Sequence, residues 1–207
     1  MKKIIICSIP MKERSQVQLS IYTSNDKSLP VSDKAVRYPI NAFLEKTLKQ
    51  NDDVKVLLIV KKDAYSHYQE NVADYVKELL SANEKVDAKI EYKVIETDFS
   101  EEQSVHEKLM GEIVDNIDDG SHVLTDITYG PKDLPIVIFT ALNFAEKFLQ
   151  CEIDNIIYGQ ANYENGKVIN TRICDMVPLY YLNSVTNTIS GEDSEKARQM
   201  LKSLLSL

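Results

Sequence analysis

The residues with the clearest capacity for chemistry lie between Leu124 and Pro135, in the order Leu-Thr-Asp-Ile-Thr-Tyr-Gly-Pro-Lys-Asp-Leu-Pro. An apolar, β-branched run over residues 122–127 leads into this segment, and a strongly apolar helical pattern over residues 136–149 follows it. The segment is therefore predicted to be a strand that ends in a polar turn and leads directly into a helix. Open α/β sheets bind ligands at the carboxyl ends of their strands. A hydroxyl, a phenol, a glycine and a lysine beside a helix N-terminus predict a phosphate or nucleotide site; the alternative is a turn that needs Gly and Pro only for its shape.

The elements that would position this turn alternate between buried strands and amphipathic helices. This alternation predicts a Rossmann-like α/β fold, with a mostly parallel sheet, helices on both faces and small β-hairpin inserts. The predicted strands are residues 3–9, 54–60, 89–97 (near the sheet edge), 122–127, 153–158 and 168–174. The predicted helices are residues 35–49, 66–81, 101–117, 136–149 and 179–188.

Two segments are predicted to form β-hairpins. Within a polar stretch after the first strand, Val17, Leu19 and Ile21 alternate with polar residues ahead of a turn signal at residues 25–28. The last two strands are joined across residues 162–166, which contain Asn-Gly. The helix over residues 66–81 should bury Leu79 and Leu80 among others, and Gly120 should cap the helix over residues 101–117.

Composition narrows the class of protein. The chain has 207 residues, 43% of them hydrophobic, and a net charge of −8. Such an acidic chain is a poor general binder of long nucleic acids, because that binding depends on neutralising phosphates. Its three cysteines form no CxxC pair and have no metal-ligand spacing to the three histidines, which fits a reducing compartment and predicts neither a metal nor a cofactor. The apolar run at the N-terminus stops at Ile9, too short for a signal peptide or membrane span, so we expect a cytoplasmic protein without a membrane partner.

The polar turn also carries a family signature. Four of its residues match the pattern Asp-x-Thr-His-Gly-x-Arg-x-x-Pro, namely Asp126, Thr128, Gly130 and Pro135. Tyr129 stands in place of the histidine and Lys132 in place of the arginine. Through this motif the chain resembles the CRISPR-associated Rossmann fold (CARF) sensors. Residues 156–160 are similar to the family's Tyr-Gly strand end, and residues 166–175 to its returning strand, so the resemblance covers about residues 1–190.

The resemblance implies a homodimer that binds a cyclic oligoadenylate, the second messenger made by type III CRISPR complexes, with cyclic tetra-adenylate favoured. Residues 1–190 would form the ligand-binding domain and residues 191–207 a helical connector or tail. Binding in this family normally controls an attached effector domain, which would be missing from this chain.

The residues of the turn each have a ligand role and a structural alternative. Lys132 would add a point charge for phosphate at the helix N-terminus, or be an ordinary surface lysine. Thr128 could contact phosphate or an adenine amine, or cap the helix. Gly130 could admit a ligand close to the backbone, or only satisfy a positive φ. Tyr129 could stack on adenine or pack on its dimer mate. Asp126 is interpreted as a buried residue whose hydrogen bonds hold the loop.

Further candidate ligand-binding residues follow from the same sheet edge. Ser8 ends the first strand and is followed by the loop residues Ile9, Pro10 and Lys12, with Arg14 as a further basic residue. Lys61 and Lys62 follow the second strand. Pro131 lies in the focal turn, and Tyr158, Gly159 and Gln160 end another strand and could line the rim of the pocket.

Two functions from different classes remain open at this point. The first is a binding module, a dimeric sensor. The second is a metal-independent ring nuclease, in which a ligand 2′-hydroxyl attacks the neighbouring phosphate and leaves a 2′,3′-cyclic phosphate. Ser8 would then orient the phosphate or ribose and Lys132 would stabilise the developing charge. A Rossmann-type metabolic enzyme is weaker, because the chain has neither a GxGxxG nor a Walker motif. No arginine is followed four to six residues later by histidine, so the ribonuclease signature of attached effector domains is absent from this sequence.

Overall fold

The computed structural model describes residues 1–62, 67–188 and 193–205. Strands and helices alternate through most of the chain, as the sequence predicts. The strands are β1 (Lys2–Ser8), β2 (Asp53–Lys61), β3 (Lys89–Thr97), β4 (His122–Asp126), β5 (Glu152–Glu164) and β6 (Lys167–Asp175). The helices are α1 (Pro39–Thr47), α2 (Tyr68–Asn83), α3 (Gln103–Val114), α4 (Leu134–Phe148), α5 (Val177–Thr188) and α6 (Ser194–Leu205).

The six strands form one sheet in the order β3-β2-β1-β4-β5-β6. All neighbouring pairs are parallel except β5 and β6, which form the predicted antiparallel hairpin. The Rossmann-like α/β class is therefore confirmed, and β3 lies at the sheet edge as predicted. The chain runs outward from β1 to β3 and then returns to β4 on the other side of β1. The carboxyl ends of β1 and β4 thus meet at the topological switch point, where open α/β sheets place ligands.

Both faces of the sheet are covered. Ile5 and Cys7 belong to a buried cluster that includes side chains of α1 and α2, with Tyr38 and Tyr75 among its largest members. Ile4 and Ile6 point to the opposite face of the same strand and are also buried. Helices α1 and α2 contact each other, as do α3 and α4. The continuous apolar runs in β1 and β2 are typical of parallel strands buried on both faces.

The hairpin predicted after β1 is wrong. Residues 9–38, all described, contain a 3-10 turn at Arg14–Gln16 and two single bridges instead of two paired strands. Ser20 bridges Val36, and Thr23 bridges Arg172 of β6. The alternating segment therefore lies against the sheet edge and the residues before α1, because its backbone groups find their partners there.

Three smaller predictions also need correction. Helix α1 begins at Pro39, not residue 35, because Val36 is engaged in the bridge and proline favours the first turn of a helix. Leu80 is 55% exposed, not buried. The buried face of α2 includes Tyr75 and Leu79, and Leu80, the next residue after Leu79, lies outside that face. Gly120 does not cap α3, which ends at Val114 with Asp115 as its C-cap; instead, the Gly120 N–H donates to the Leu149 carbonyl.

The chain divides into two compact units, Met1–Asp175 and Met176–Leu207, with α5 and α6 in the second. The boundary predicted at residues 190–191 lies outside the described residues. Among the described helices, none is both long and apolar enough to cross a membrane.

Candidate functional site

A cavity of about 200 Å³ lies at the carboxyl ends of β4 and β5. Five residues predicted for the site line it: Lys12, Thr128, Tyr129, Tyr158 and Gly159. The remaining walls come from the segment after β1 and from the β5–β6 hairpin, through Gln16, Val17, Gln18, Ser20, Tyr22, Ala161, Tyr163 and Val168. The sequence does not predict this second group, because the alternation after β1 indicates a hairpin that would be separate from the site. The aromatic residues Tyr22 and Tyr163 in polar surroundings were the available signal.

Asp126 and Thr128 hold the polar turn in place. The Thr128 backbone N–H donates to Asp126 Oδ1 at 2.8 Å, and the Thr128 hydroxyl donates to the same oxygen. The Gly159 N–H then donates to Thr128 Oγ1 at 2.8 Å. The hydroxyl thus connects the end of β4 to β5. The structure shows Asp126 in the loop-holding role predicted for it, whereas Thr128 does not cap α4, whose N-cap is Asp133, and has its proton committed to Asp126.

Hydrogen-bond donors surround the buried Asp126 carboxyl, but they do not fully offset the free-energy cost of removing its negative charge from water. Burial raises its pKa from the ordinary 3.8 to about 6, although hydrogen bonds from Thr128 and from the Ile40 N–H favour the ionised form. The carboxyl therefore titrates close to physiological pH while remaining out of contact with solvent.

Gly130 closes the turn over the end of β1. Its φ is +106°, and a Cβ there would lie 2.6 Å from Leu134 Cδ2 and 2.9 Å from Ser8 Oγ. Only glycine fits both the backbone conformation and the space. Ser8 is 3% exposed, and its hydroxyl has no hydrogen-bond partner among the described residues. Ser8 does not line the cavity, which its predicted role as a ligand contact would require.

Lys132 is exposed and also lies outside the cavity lining. The N-terminus of α4 behind it offers few donors to an anion. The N–H of Leu134 donates to the Pro131 carbonyl, those of Ile136 and Val137 donate to the Asp133 carbonyl, and Pro135 has no N–H. The Asp133 side chain adds a carboxylate here, paired with His106 Nε2 at 2.6 Å. These contacts occupy the first N–H groups of α4, so an anion at this helix end would depend on the exposed Lys132 side chain.

Tyr129 packs within its own chain. Its hydroxyl donates to the Arg37 carbonyl at 2.7 Å, and its ring meets Tyr38 edge to face with centroids 6.0 Å apart. Burial raises the pKa of its phenol well above the ordinary range. Part of the ring lines the cavity, while the rest belongs to the core contact with the start of α1.

The loop after β1 is fixed from α2. Asn71 Nδ2 donates to the carbonyls of Pro10 and Lys12 at 3.0 and 2.8 Å. Ile9 and Pro10 are buried, so they support the loop from the core, while the Lys12 side chain is exposed at the cavity. Arg14 forms a two-point ion pair with Asp74 at 2.6 and 3.0 Å.

The second half of β5 supplies the opposite wall, because the strand continues to Glu164 and does not end at residues 158–160 as predicted. Tyr158 is 40% exposed and Tyr163 62% exposed, so both rings are accessible at the cavity. Gly159 is required by packing, because a Cβ there would lie 2.3 Å from Pro39 Cγ. Gln160 does not line the cavity; its Oε1 accepts a hydrogen bond from Arg172 Nε at 2.6 Å.

The site therefore combines exposed phenol rings, amides and one lysine at the edge where Rossmann-like sheets bind ligands. In comparisons with known proteins, neither a protein-family model nor a curated protein sequence matches the chain.

Proposed function

We propose that this chain is a homodimeric sensor that binds a cyclic oligoadenylate, with cyclic tetra-adenylate favoured, in type III CRISPR antiviral defence. The observation that carries the proposal is the cavity at the carboxyl ends of β4 and β5, lined by four tyrosines and Lys12. It lies next to the switch point of the sheet and includes residues of the turn whose sequence resembles the CARF sensors.

The lining has the chemistry for part of a nucleotide. Accessible aromatic rings stack on nucleobases without requiring a particular sequence, and Tyr158 and Tyr163 offer such rings. The Lys12 ammonium supplies a positive point charge for a phosphate. Gln16 adds an amide donor and acceptor suited to a base edge or a ribose, whereas the Gln18 amide is bonded to Gly166 and Val168.

The size of the cavity supports sharing the ligand between two chains. Its volume of about 200 Å³ is below the roughly 300–1,000 Å³ of sites that enclose a drug-sized ligand. A ring of several nucleotides exceeds that space. In the proposed dimer, each chain therefore holds one portion of the ring, and a twofold axis matches the repeat of identical nucleotides.

Binding is favoured over ring cleavage. The nuclease alternative assigned the chemistry to Ser8 and Lys132, but Ser8 is covered by Gly130, Lys132 is exposed, and neither lines the cavity. In-line attack needs both groups held against one phosphate in a narrow geometry. The cavity residues themselves supply stacking and charge, which are binding functions.

The test is titration calorimetry of the purified chain with cyclic tetra-adenylate, with cyclic hexa-adenylate, linear tetra-adenylate and AMP as comparison ligands. We expect saturable binding of a cyclic ligand that Tyr158→Ala weakens roughly 5- to 150-fold, because base–aromatic stacking contributes about 1–3 kcal/mol. Tyr92→Ala is the matched control, since Tyr92 is a similarly exposed tyrosine on the edge strand β3.

Three outcomes would contradict the proposal: no heat with any cyclic ligand, equal affinity for AMP and the rings, or equal weakening by both tyrosine substitutions. Chromatography of the ligand after prolonged incubation separates sensor from nuclease. Recovery of intact rings agrees with the sensor, and linear products ending in a 2′,3′-cyclic phosphate would restore the nuclease.

A further inference from the structure

A second cluster of functional groups lies at the opposite end of the same strands. His122, Glu152 and Asp154 occupy the amino-terminal ends of β4 and β5. One potential ligand atom from each lies within 4.8 Å of the others, and among the described residues no other group of three such side chains meets this condition. This cluster is remote in the strand direction from the cavity, which lies where the strands end.

The distances within the cluster suit a shared cation. His122 Nδ1 lies 2.9 Å from Asp154 Oδ1 and 3.6 Å from Glu152 Oε2. Donor atoms bound to one transition-metal ion, each about 2.0–2.2 Å from it, are separated by about 3.0–3.5 Å in octahedral or tetrahedral geometry. The two separations from His122 bracket that range, and the two carboxylate oxygens lie within 4.8 Å of one another, so small side-chain rotations would bring all three atoms onto one ion.

The backbone register brings the two carboxylates to one histidine. Glu152 pairs directly with His122 in the parallel ladder. The register then shifts, since Val123 pairs with Ile153 but Leu124 pairs with Asn155. Asp154 is the extra residue at this irregularity and has no partner of its own in β4. Bulges of this kind redirect a side chain, and here Asp154 accompanies Glu152 at the same imidazole.

The charge of the cluster also favours a cation. Two carboxylates converge on a single imidazole, which even in its charged form could offset only one of them. The side chains of His122 and Asp154 are 26% and 30% exposed, which leaves them accessible to an ion from solvent but partly shielded from it. Glu152, with a side chain 77% exposed, can complete the set by rotating.

We propose that His122, Glu152 and Asp154 form a binding site for a divalent first-row transition metal, with Zn²⁺ as the best-fitting ion. One imidazole nitrogen and two carboxylate oxygens are ligands that Zn²⁺ accepts, with water completing the coordination. The nitrogen ligand selects against Mg²⁺ and Ca²⁺, which prefer all-oxygen sites. A bound ion would join β4 to β5 at the end opposite the nucleotide cavity, so the site is independent of the proposed function.

The test is calorimetric titration of the EDTA-treated full chain with ZnCl₂, repeated with MgCl₂. We expect one Zn²⁺ per chain and no comparable binding of Mg²⁺. His122→Gln and Asp154→Asn should each weaken the Zn²⁺ affinity by at least about tenfold, since even outer-shell changes at metal sites cost 10- to 100-fold. Glu152→Gln should weaken it in the same direction.

His106→Gln is the matched control, because His106 pairs with Asp133 at 2.6 Å without a third ligand among the described residues. Its Zn²⁺ affinity should equal that of the unmodified chain. Thermal melting of each metal-free variant checks that it folds, and Asp154→Asn keeps the test valid if His122→Gln does not fold. Zn²⁺ binding that is unchanged in all three cluster variants, equally weakened by His106→Gln, or matched by Mg²⁺ would overturn the proposal, as would the absence of binding.

Discussion

At the residue scale, the position of a positive charge decides which side chain can hold a phosphate. Lys12 and Lys132 are both exposed, but only Lys12 lines the cavity at the ends of β4 and β5. Lys132 lies in the turn before α4. The first N–H groups of α4 are already hydrogen-bonded, and the Asp133 carboxylate lies at the same end of the helix. The negative charge of Asp133 weakens the attraction of the Lys132 ammonium for an incoming anion.

Replacing each lysine by alanine separates these two positions. Under the proposed function, Lys12→Ala should weaken cyclic tetra-adenylate binding about tenfold to a hundredfold, because a charge-assisted hydrogen bond contributes roughly 1.5–3 kcal/mol. Lys132→Ala removes the same charge outside the cavity lining and should change the dissociation constant by less than about threefold, since exposed charges are screened. Titration calorimetry at one salt concentration measures both. A larger loss with Lys132→Ala would return the phosphate site to the helix N-terminus.

The buried Asp126 carboxyl gives stability a specific pH dependence. Its pKa of about 6 in the folded chain exceeds the ordinary 3.8, so the folded state binds this proton more tightly than the unfolded state. The protonated Asp126 carboxyl therefore contributes up to about 3 kcal/mol to the free energy of unfolding. This contribution is fully present below about pH 4 and is lost as the pH rises through about 6.

Asp126→Asn removes this titration while keeping an oxygen that can accept hydrogen bonds from Thr128. Denaturant unfolding of both proteins between pH 4 and 7 gives the difference in their free energies of unfolding. That difference should move in favour of the variant as the pH rises from 4 to 6, and then level off. Other titrating groups, such as the half-buried Glu78, are common to both proteins and cancel. A difference that stays constant with pH would show that Asp126 titrates normally.

At the element scale, the approach of α1 to β5 fixes the wall of the cavity. Pro39 begins α1 and lies against Gly159, where a Cβ would come within 2.3 Å of Pro39 Cγ and 3.1 Å of Thr128 Oγ1. The Gly159 N–H donates to that same hydroxyl. A glycine in a strand often marks such a close backbone approach. The contact therefore links α1, the turn after β4 and β5 at one point.

We expect Gly159→Ala to destabilise the chain by about 1–3 kcal/mol, because overpacking forces the backbone or Pro39 to move. Gly111→Ala is the matched control: nothing lies within 4 Å of the added Cβ, and Gly111 is inside α3. It should stabilise the chain by up to about 1 kcal/mol, from the higher helix propensity of alanine. Chemical denaturation measures both changes. Equal effects of the two substitutions would mean that the Pro39 contact is not tight.

At the scale of the whole molecule, the proposed ligand exceeds what one cavity holds. A cavity of about 200 Å³ holds only part of a nucleotide ring, so under the proposed function a second chain holds the equivalent part. An isologous pair presents the same residues twice around a twofold axis, which corresponds to the symmetry of the ring. Dimer formation by the chain and binding of the proposed ring are then coupled, so each favours the other.

Light scattering coupled to size exclusion tests this directly. We expect a particle of twice the chain mass of 23.6 kDa at micromolar concentration, and calorimetry should give one cyclic ligand per two chains. A monomer both with and without ligand would contradict the proposed dimer, whatever the binding affinity. A dimer that binds one ring in each chain would contradict the shared cavity alone.

Elements with a local pattern could be predicted from the amino-acid sequence. The apolar runs of β1 and β2 and the periodicity of α2 and α4 predicted the Rossmann-like class, because burial of a face imposes a fixed spacing of apolar residues. The Asn-Gly turn between β5 and β6 was predictable for the same reason, since the turn type requires those residues.

Contacts between residues distant in the chain depend on the three-dimensional packing and could not be predicted. The alternation at residues 17–21 was compatible with a hairpin, but backbone partners distant in the chain, Val36 and Arg172, place the segment beside β6, where it lines the cavity. Ser8 and Gly130 are far apart in sequence, and only their packing shows that the serine is covered. The His122–Glu152–Asp154 cluster likewise depends on the register between two parallel strands, which no local pattern specifies, because pairing joins residues separated by a whole helix.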